Sequence, residues 1–316
     1  MKLDIKDKKI LFELEKNARQ NNSSIAKSVG LSKDAVGYRI KQLENGGIIR
    51  GYRLLVDVSK IGYTLYRIYL RLIDISQEDL EKMINYLKRE KNAWWIAKLD
   101  GSWDFVFAYW SKTPNEFYEF YRLFSENFRK YIKDKLICPM ISYKEVPRRY
   151  LTNSKMNLDF NIKERKIENI DERDLKILKI LSKNSRIHLI EIASKLKLDN
   201  MTIYHRIKKL EEKNIILGYK SDTNVSTLGR DFYTVEIDLN NLSKIKEIEK
   251  DIFSLSELTG RSISIGGNDI EFDLELENSK RYYEIINLLK DKFLNIREIR
   301  YFRVIENYKL IDMPEE

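Results

Sequence analysis

The sequence predicts an α+β fold in which one two-part unit occurs twice. The chain aligns with itself without a gap at an offset of 167 residues over about sixty positions, which indicates internal duplication. Within each copy, apolar residues recur first at helical spacing and then in short strand-prone runs that alternate with helices. At 316 residues the chain is long enough for several domains that each bury a core.

Identical residues at matched positions carry the repeat. The pairs include charged residues, buried-type aliphatic residues and glycines, so the match is not a matter of composition alone. They include Asp4 and Asp171, Asp7 and Asp174, Ile10 and Ile177, Leu11 and Leu178, Arg19 and Arg186, Arg39 and Arg206, and Gly51 and Gly218.

Three short helices are predicted at the start of each copy. In the first copy they cover about residues 7–16 and 24–29, followed by a helix that Ser32 caps and that ends before Gly46. The third helix buries an apolar stripe, formed by Val36, Ile40 and Leu43 in copy one and by Ile203, Ile207 and Leu210 in copy two. The strand-prone Ile-Ile-x-Gly-Tyr that follows predicts the start of a wing.

The outward face of each third helix is polar and basic, which is typical of a helix-turn-helix that enters the major groove of DNA. Its hydroxyl, amide and imidazole groups can address base edges, and its cations can neutralise phosphates. The alternative is a protein-docking module whose charges are ordinary solvated residues. The candidate DNA contacts are Ser32, Lys33, Asp34, Tyr38, Arg39 and Lys41 in copy one and Asn200, Thr202, Tyr204, His205, Arg206 and Lys208 in copy two.

These residues resemble the Lrp/AsnC family of transcriptional regulators. Both copies contain the pattern Asp-x-x-Asp-x-x-Ile-Leu and a recognition segment, "GLSKDAVGYRIKQLENGGIIRGY" and "KLDNMTIYHRIKKLEEKNIILGY". Copy two has Lys197 where copy one has Gly30 in the turn, which leaves its turn geometry open. The resemblance implies a ferredoxin-like βαββαβ domain, the RAM sensor, after each winged helix-turn-helix. It also implies double-stranded DNA and an amino acid or other small effector as partners.

The resemblance and the repeat together divide the chain into five segments. The predicted segments are the first DNA-binding domain (1–60), sensor one (61–151), a linker (152–169), the second DNA-binding domain (170–228) and sensor two (229–312). Both predicted DNA-binding domains are basic, since residues 1–60 carry a net charge of +6 and residues 171–228 carry +4.

Each sensor contains Gly-x-x-Asp between its two central strands. The motif is Gly101 to Asp104 in sensor one and Gly266 to Asp269 in sensor two. The resemblance makes these four residues candidates for effector binding. A plain β-turn with glycine and aspartate at favoured positions is an equally good interpretation.

The two sensors differ in aromatic content and in charge. The four tryptophans of the chain fall in sensor one, and the segment from residue 229 onward carries a net charge of −6. Trp94 and Trp95 are adjacent in a predicted strand, so we expect them on opposite sides of the sheet. The outward one favours sheet-to-sheet packing over a ligand pocket. We therefore expect the two sensors to pair within one chain as a pseudo-dimer, with a further homo-oligomer left open.

Several other classes of protein fit the sequence less well. Cys138 is the single cysteine, which excludes an intramolecular disulfide and a thiolate-rich metal site. The chain has no apolar run long enough to span a membrane and no secretory signal at its start, so we expect a cytoplasmic protein.

The sequence shows no catalytic constellation, metal-ligand cluster or cofactor motif, and we expect no enzyme. The two histidines, His188 and His205, both lie in the second predicted DNA-binding domain. Two alternatives remain, a sirohaem decarboxylase-like enzyme of the same fold and an architectural DNA-binding protein with little sequence preference.

Overall fold

The computed structural model describes residues 3–154, 160–162, 166–311 and 313–314. Short 3-10 turns accompany the longer elements. The helices are α1 (Ile5–Lys16), α2 (Asn22–Val29), α3 (Lys33–Asn45), α4 (Gln77–Arg89), α5 (Pro114–Phe128), α6 (Glu172–Lys183), α7 (Leu189–Leu196), α8 (Asn200–Glu212), α9 (Ile245–Ser254) and α10 (Ser279–Lys292). The strands are β1 (Ile49–Val56), β2 (Thr64–Leu72), β3 (Ala93–Gly101), β4 (Phe105–Ser111), β5 (Ile132–Glu145), β6 (Phe160–Ile162), β7 (Ile216–Thr223), β8 (Asp231–Leu239), β9 (Leu258–Ser264), β10 (Ile270–Leu276) and β11 (Ile296–Leu310).

Each copy begins with a three-helix domain, α1 to α3 and α6 to α8. The first helix of each starts with a capping box, because the side chain of Asp4 accepts a bond from the backbone N–H of Asp7 and the reverse contact also forms. Asp171 and Asp174 make the same pair of bonds in copy two. The first acid of the repeated motif thus sets the start of the helix.

The helix-turn-helix turn has the same backbone in both copies. Gly30 ends α2 in the left-handed conformation with φ 68°, and Lys197 ends α7 with φ 52°. A lysine costs about 1 kcal/mol or more in this conformation relative to glycine. Copy two therefore has the same turn geometry as copy one, which the sequence did not decide. Lys197 adopts it at a higher conformational cost than Gly30.

The predicted wing strands do not fold back within their own domains. Strand β1 of copy one pairs antiparallel with β7 of copy two, and they form a two-stranded ribbon between the two three-helix domains. Helix α1 packs against β7 and α6 packs against β1. Two equivalent backbone hydrogen bonds connect the copies, from Ala18 N to Tyr219 O (2.7 Å) and from Ser185 N to Tyr52 O (2.9 Å).

Each sensor is a four-stranded antiparallel sheet with two helices on its outer face. The strand order is β5-β2-β4-β3 in sensor one and β11-β8-β10-β9 in sensor two, which is the ferredoxin-like order. Buried faces of α4 and α5 cover the first sheet, and those of α9 and α10 cover the second. The predicted α+β class, with two helix-turn-helix domains and two βαββαβ sensors, is confirmed.

Two long strands join the sensors into one closed sheet. The first part of β11 pairs with β8 and its last part pairs with β3 of the other sensor. Strand β5 likewise pairs with β2 and then with β9. The sensors therefore pair within the chain, and their inner faces enclose a common interior.

The expectation that Trp94 and Trp95 point to opposite sides of the sheet is wrong. A β-bulge lies between Ala93 and Trp95, so the alternation of side chains is interrupted there. Both tryptophans pack against the same apolar cluster, with their ring centroids 6.4 Å apart. Trp95 also donates from its indole N–H to Asn307 of sensor two at 2.8 Å.

The predicted linker, 152–169, lies partly outside the described residues. Its described part contains strand β6, which pairs with the end of β5. The ring of Phe160 is buried there and lies directly over Gly218 of the ribbon, where a side chain would collide with it. The segment is therefore attached to both the sensor sheet and the ribbon at this point.

Candidate nucleic-acid interface

The predicted recognition helices are α3 and α8, and both present the expected faces. The stripes Val36, Ile40, Leu43 and Ile203, Ile207, Leu210 are buried, as expected. The large exposed rings on these helices are Tyr38 (66% exposed) and Tyr204 (41% exposed). The remaining exposed candidates are Ser32, Lys33, Asp34, Lys41, Asn200, His205 and Lys208.

Some of the candidates also hold the helix itself. The hydroxyl of Ser32 caps α3 by accepting from the N–H of Ala35 at 3.2 Å. In copy two Asp199 caps α8, and it also accepts from the hydroxyl of Thr202 at 2.5 Å. The hydroxyl of Thr202 is thus already engaged, whereas His205 stacks edge-on against Tyr204 with ring centroids 5.5 Å apart.

The sequence predicts that Arg39 and Arg206 can neutralise DNA phosphates. In the structure each of them instead binds carboxylates of its own domain. The guanidinium of Arg39 binds the carboxylates of Asp4 at 2.8 Å and Asp7 at 2.7 Å. Arg206 binds Asp171 and Asp174 at the same two distances. These carboxylates raise the pKa of both guanidinium groups. Each arginine positions the recognition helix against the start of the first helix of its own domain.

The two domains are also fixed relative to each other by a repeated pair of residues that the functional prediction missed. Arg19 donates to the backbone oxygens of Ser185 (2.6 Å) and Ile187 (3.1 Å) in the other copy. Its guanidinium lies over the ring of Tyr219, and that of Arg186 lies over Tyr52. The identity of Arg19 and Arg186 at the repeat offset was the available signal.

The Gly-x-x-Asp motifs form structured turns next to the seam between the sensors. Asp104 accepts from the backbone N–H of Leu72 at 2.8 Å and pairs with Arg71 at 3.1 Å. Asp269 accepts from the N–H of Leu239 at 2.7 Å. In both sensors the aspartate closes the end of the first strand, which fits the turn interpretation, and effector contact stays a prediction.

The closed interior of the sensor pair holds buried charges that the sequence analysis did not single out. Glu236, Glu271 and Asp273 of sensor two are at most 6% exposed, and Arg67 of sensor one reaches in to bind Glu271. Burial, together with the charge of Glu271, raises the pKa of Asp273 to about 7. The available signal was the alternation of acidic and apolar residues along β10.

A small cavity lies where the ribbon meets sensor one. Its volume is about 60 Å³, and Leu54 and Val56 of the ribbon line it together with Trp94 and Trp110. The lining is mostly apolar, and a wider cleft of about 220 Å³ shares Val58 with it. The cavity offers a small apolar space at the junction between a DNA-binding domain and a sensor.

Two further observations concern metal ions and membranes. Among the described residues, no group of three histidine, cysteine, aspartate or glutamate side chains is placed to hold a metal ion. The helices in the described part of the chain are too short or too polar to cross a membrane.

Comparison with known proteins agrees with this geometry. The model of the winged helix-turn-helix DNA-binding family matches residues 3–50 and 170–216, one match in each copy. The chain is 33% identical over 105 residues to an uncharacterised HTH-type transcriptional regulator of Pyrococcus horikoshii and covers 68% of its length. It is 40% identical over 86 residues to the regulator LrpA of the same organism, and 43% identical over 65 residues to the leucine-responsive regulatory protein of Rhizobium meliloti. The chain belongs to the Lrp/AsnC family.

The matches to Lrp/AsnC regulators cover only part of each protein. The matches to two uncharacterised HTH-type transcriptional regulators of Pyrococcus abyssi and to LrpA span 55%, 64% and 60% of those proteins' lengths, and the LrpA match takes up 27% of this chain. The chain therefore spans less than two thirds of the length of these relatives.

Two solved structures of one protein resemble the whole tandem. The siroheme decarboxylase NirDL matches 98% of this chain and 94% of its own with a TM-score of 0.65 and 13% sequence identity. This finding corrects the expectation that the chain is no enzyme, because the two-unit arrangement on which the regulator interpretation depends is also that of an enzyme. At this identity the likeness concerns the fold alone.

Proposed function

We propose that the protein is a DNA-binding transcriptional regulator of the Lrp/AsnC family in which one chain supplies both DNA-binding domains. The observation that carries this proposal is the pair of helix-turn-helix domains joined by the β1–β7 ribbon, each with an exposed polar and basic recognition helix. Regulators with two such domains bind half-sites about one turn of DNA apart.

The two recognition helices carry different side chains, so the proposed operator is partly asymmetric. Lys33, Asp34 and Tyr38 face outward in copy one, and Asn200 and His205 face outward in copy two. Base-edge recognition depends on the donor and acceptor groups that a helix offers, and these sets differ. We expect one half-site to be specified mainly by α3 and the other by α8.

The test is selection of bound duplexes from a random pool, followed by titration of the selected and a random duplex at low and high salt. A regulator should prefer the selected duplex by about 10³-fold or more. His205→Ala should weaken binding to the selected duplex by about 5- to 150-fold and relax the base preference in one half-site only. Lys41→Ala should weaken binding to both duplexes equally. It should also lower the slope of log affinity against log salt concentration by about 1.

Lys290→Ala, on the exposed face of α10 in sensor two, is the matched control and should leave both affinities unchanged. A small preference for the selected duplex at every salt concentration would instead indicate an architectural DNA-binding protein. Absence of binding to either duplex would contradict the proposal altogether.

A small effector, such as an amino acid, remains part of the proposal on the strength of the family resemblance. Calorimetric titration with the common amino acids, in the presence and absence of the selected duplex, tests it. By linkage, an effector that changes DNA affinity must itself bind with an affinity that DNA changes by the same factor.

A second candidate function is suggested by one observation, the full-length likeness to siroheme decarboxylase NirDL. It would make the chain an enzyme that acts on an iron tetrapyrrole. Incubation with sirohaem under reducing, anaerobic conditions, with products separated by mass, tests this candidate. Loss of carboxyl groups from the substrate together with no DNA preference would favour the enzyme over the regulator.

A further inference from the structure

The inner face of sensor two carries acidic side chains at positions where the inner face of sensor one carries apolar or aromatic ones. The equivalence follows from the strand registers, since Arg67 pairs with Ala108 in sensor one and Thr234 pairs with Asp273 in sensor two. By the same register, Val106 corresponds to Glu271. The remaining equivalent pairs are Tyr69 and Glu236, and Trp110 and Glu275.

Four acidic side chains on this face of sensor two, those of Glu236, Glu271, Asp273 and Glu275, are buried, with exposures between 1% and 6%. Four carboxylates at this depth are costly unless donors reach them, because they have lost their hydration. Burial also raises the pKa of Glu236, and the neighbouring Glu271 adds to the effect.

Each of the four carboxylates receives a donor from the first half of the chain. Among its described residues, sensor two adds the hydroxyl of Thr234 to Asp273 at 2.8 Å, and Arg300 at 3.8 Å from Glu236. The donors from the first half are Arg67 to Glu271, Trp103 to Glu236 at 3.3 Å, Tyr143 to Asp273 at 3.3 Å, and both Arg148 (2.8 Å) and the hydroxyl of Tyr150 to Glu275.

We infer that the two sensor faces form a heterotypic lock: the inner face of sensor two accepts sensor one and rejects a second copy of itself. Two sensor-two faces placed together would bury eight carboxylates and lack the donors that the first half supplies. Two sensor-one faces would bury two Arg67 side chains without Glu271. Specificity of this kind comes from the penalty on the wrong pairing as much as from the gain of the right one.

The lock decides how the chain can assemble. Two copies of this chain cannot form a symmetric dimer in which each sensor contacts its own equivalent. The pairing left is sensor one with sensor two, which the structure shows within a single chain. The partner that the sensor-two face fits is therefore the first half of this same sequence.

Charge exchange in the full-length chain tests the lock. Arg67→Glu places a glutamate opposite Glu271 within one chain, and Glu271→Arg places an arginine opposite Arg67. Each single variant should lose most of its folded fraction or aggregate. An equimolar mixture refolded together should give a complex of twice the 37.8 kDa chain mass, because each sensor one then finds its complement on the other chain.

The double variant Arg67→Glu/Glu271→Arg restores the pairing in one chain and should again have the mass of a single chain by light scattering. The control is the exposed inter-sensor pair of Arg303 with Asp100, which lies at 2.7 Å. Arg303→Glu and Asp100→Arg, alone or mixed, should keep the single-chain mass.

Three results would overturn the inference. One is that both interior single variants stay folded with the mass of one chain. Another is that the mixture yields no double-mass complex although the double variant folds. If the double variant does not fold, Arg67→Met/Glu271→Met decides: this chain keeps the donors to the other three carboxylates and should have the mass of one chain, whereas a dimer that cross-links sensor two to sensor two would contradict the lock. None of these results bears on DNA binding.

Discussion

The two halves of the molecule make nearly the same contacts within each DNA-binding domain. They carry different kinds of side chain on the sensor faces that meet in the interior. The caps Asp4 and Asp171 and the arginines that bind them have the same geometry in both copies. In the interior, by contrast, Trp110 of sensor one corresponds to Glu275 of sensor two. Duplicated domains keep their internal packing, whereas the facing surfaces are free to become complementary because only the pair has to fit.

The largest expected effect tests the apolar side of this comparison. Trp110→Ala should lower the free energy of unfolding by about 3–5 kcal/mol, because the ring is 2% exposed and packs 5.9 Å from that of Trp94. Urea unfolding followed by circular dichroism measures it. The matched change Glu275→Gln keeps the volume and should cost about 1–3 kcal/mol. Equal costs for the two changes would argue against the asymmetry.

The next effect tests the acidic side through pH. The folded-state pKa of Asp273 is raised from 3.8 to about 7, so its protonated form is favoured by folding. The stability it contributes is complete below about pH 4 and is lost as pH rises through about 7, a loss of up to about 4 kcal/mol. Glu271 adds to the shift, while Arg67, Thr234 and Tyr143 oppose it.

Asp273→Asn removes this titration and keeps an acceptor for Thr234. Unfolding free energies of wild type and variant at pH 5 and pH 8 provide the measurement. Between pH 5 and pH 8 the wild type should lose about 2–4 kcal/mol more unfolding free energy than the variant. A difference between the two proteins that is the same at both pH values would show that Asp273 titrates normally.

A third comparison concerns the equivalent turns. Gly101 has φ 126°, and a Cβ there would collide with the backbone oxygen of Tyr301. Gly266 has φ 75° and open space around it. Gly101→Ala should therefore cost about 3 kcal/mol of unfolding free energy and Gly266→Ala about 1 kcal/mol. Thermal unfolding of the two variants side by side measures the difference, and the reverse order would contradict the seam geometry.

The smallest effect is expected at the exposed rim of the seam. Arg303 bridges to Asp100 of the other sensor, but both side chains are at least one-third exposed. Arg303→Met should change the free energy of unfolding by less than about 1 kcal/mol, because water screens the pair. A loss of several kcal/mol in the same urea assay would mean that the rim, and not the buried Arg67, holds the sensors together.

The sequence predicted most of what depends on neighbours along the chain. The repeat, the buried stripes of α3 and α8, the caps and the order of sensor elements all follow from local spacing and local hydrogen bonding. For the candidate DNA contacts it predicted exposure for residues such as Tyr38 and His205 but not the engagement of Arg39 and Arg206. That engagement depends on carboxylates 32 and 35 residues away along the chain.

What only the tertiary structure decided is which surfaces face each other. Strand alternation along β10 places Glu271, Asp273 and Glu275 on one face, and such a face is ordinarily expected to meet water. It is buried here because β5 and β11 cross between the sensors and close the sheet. The β1–β7 ribbon and the bulge beside Trp95 arise in the same way, from pairing between distant strands, which periodicity along one strand does not determine.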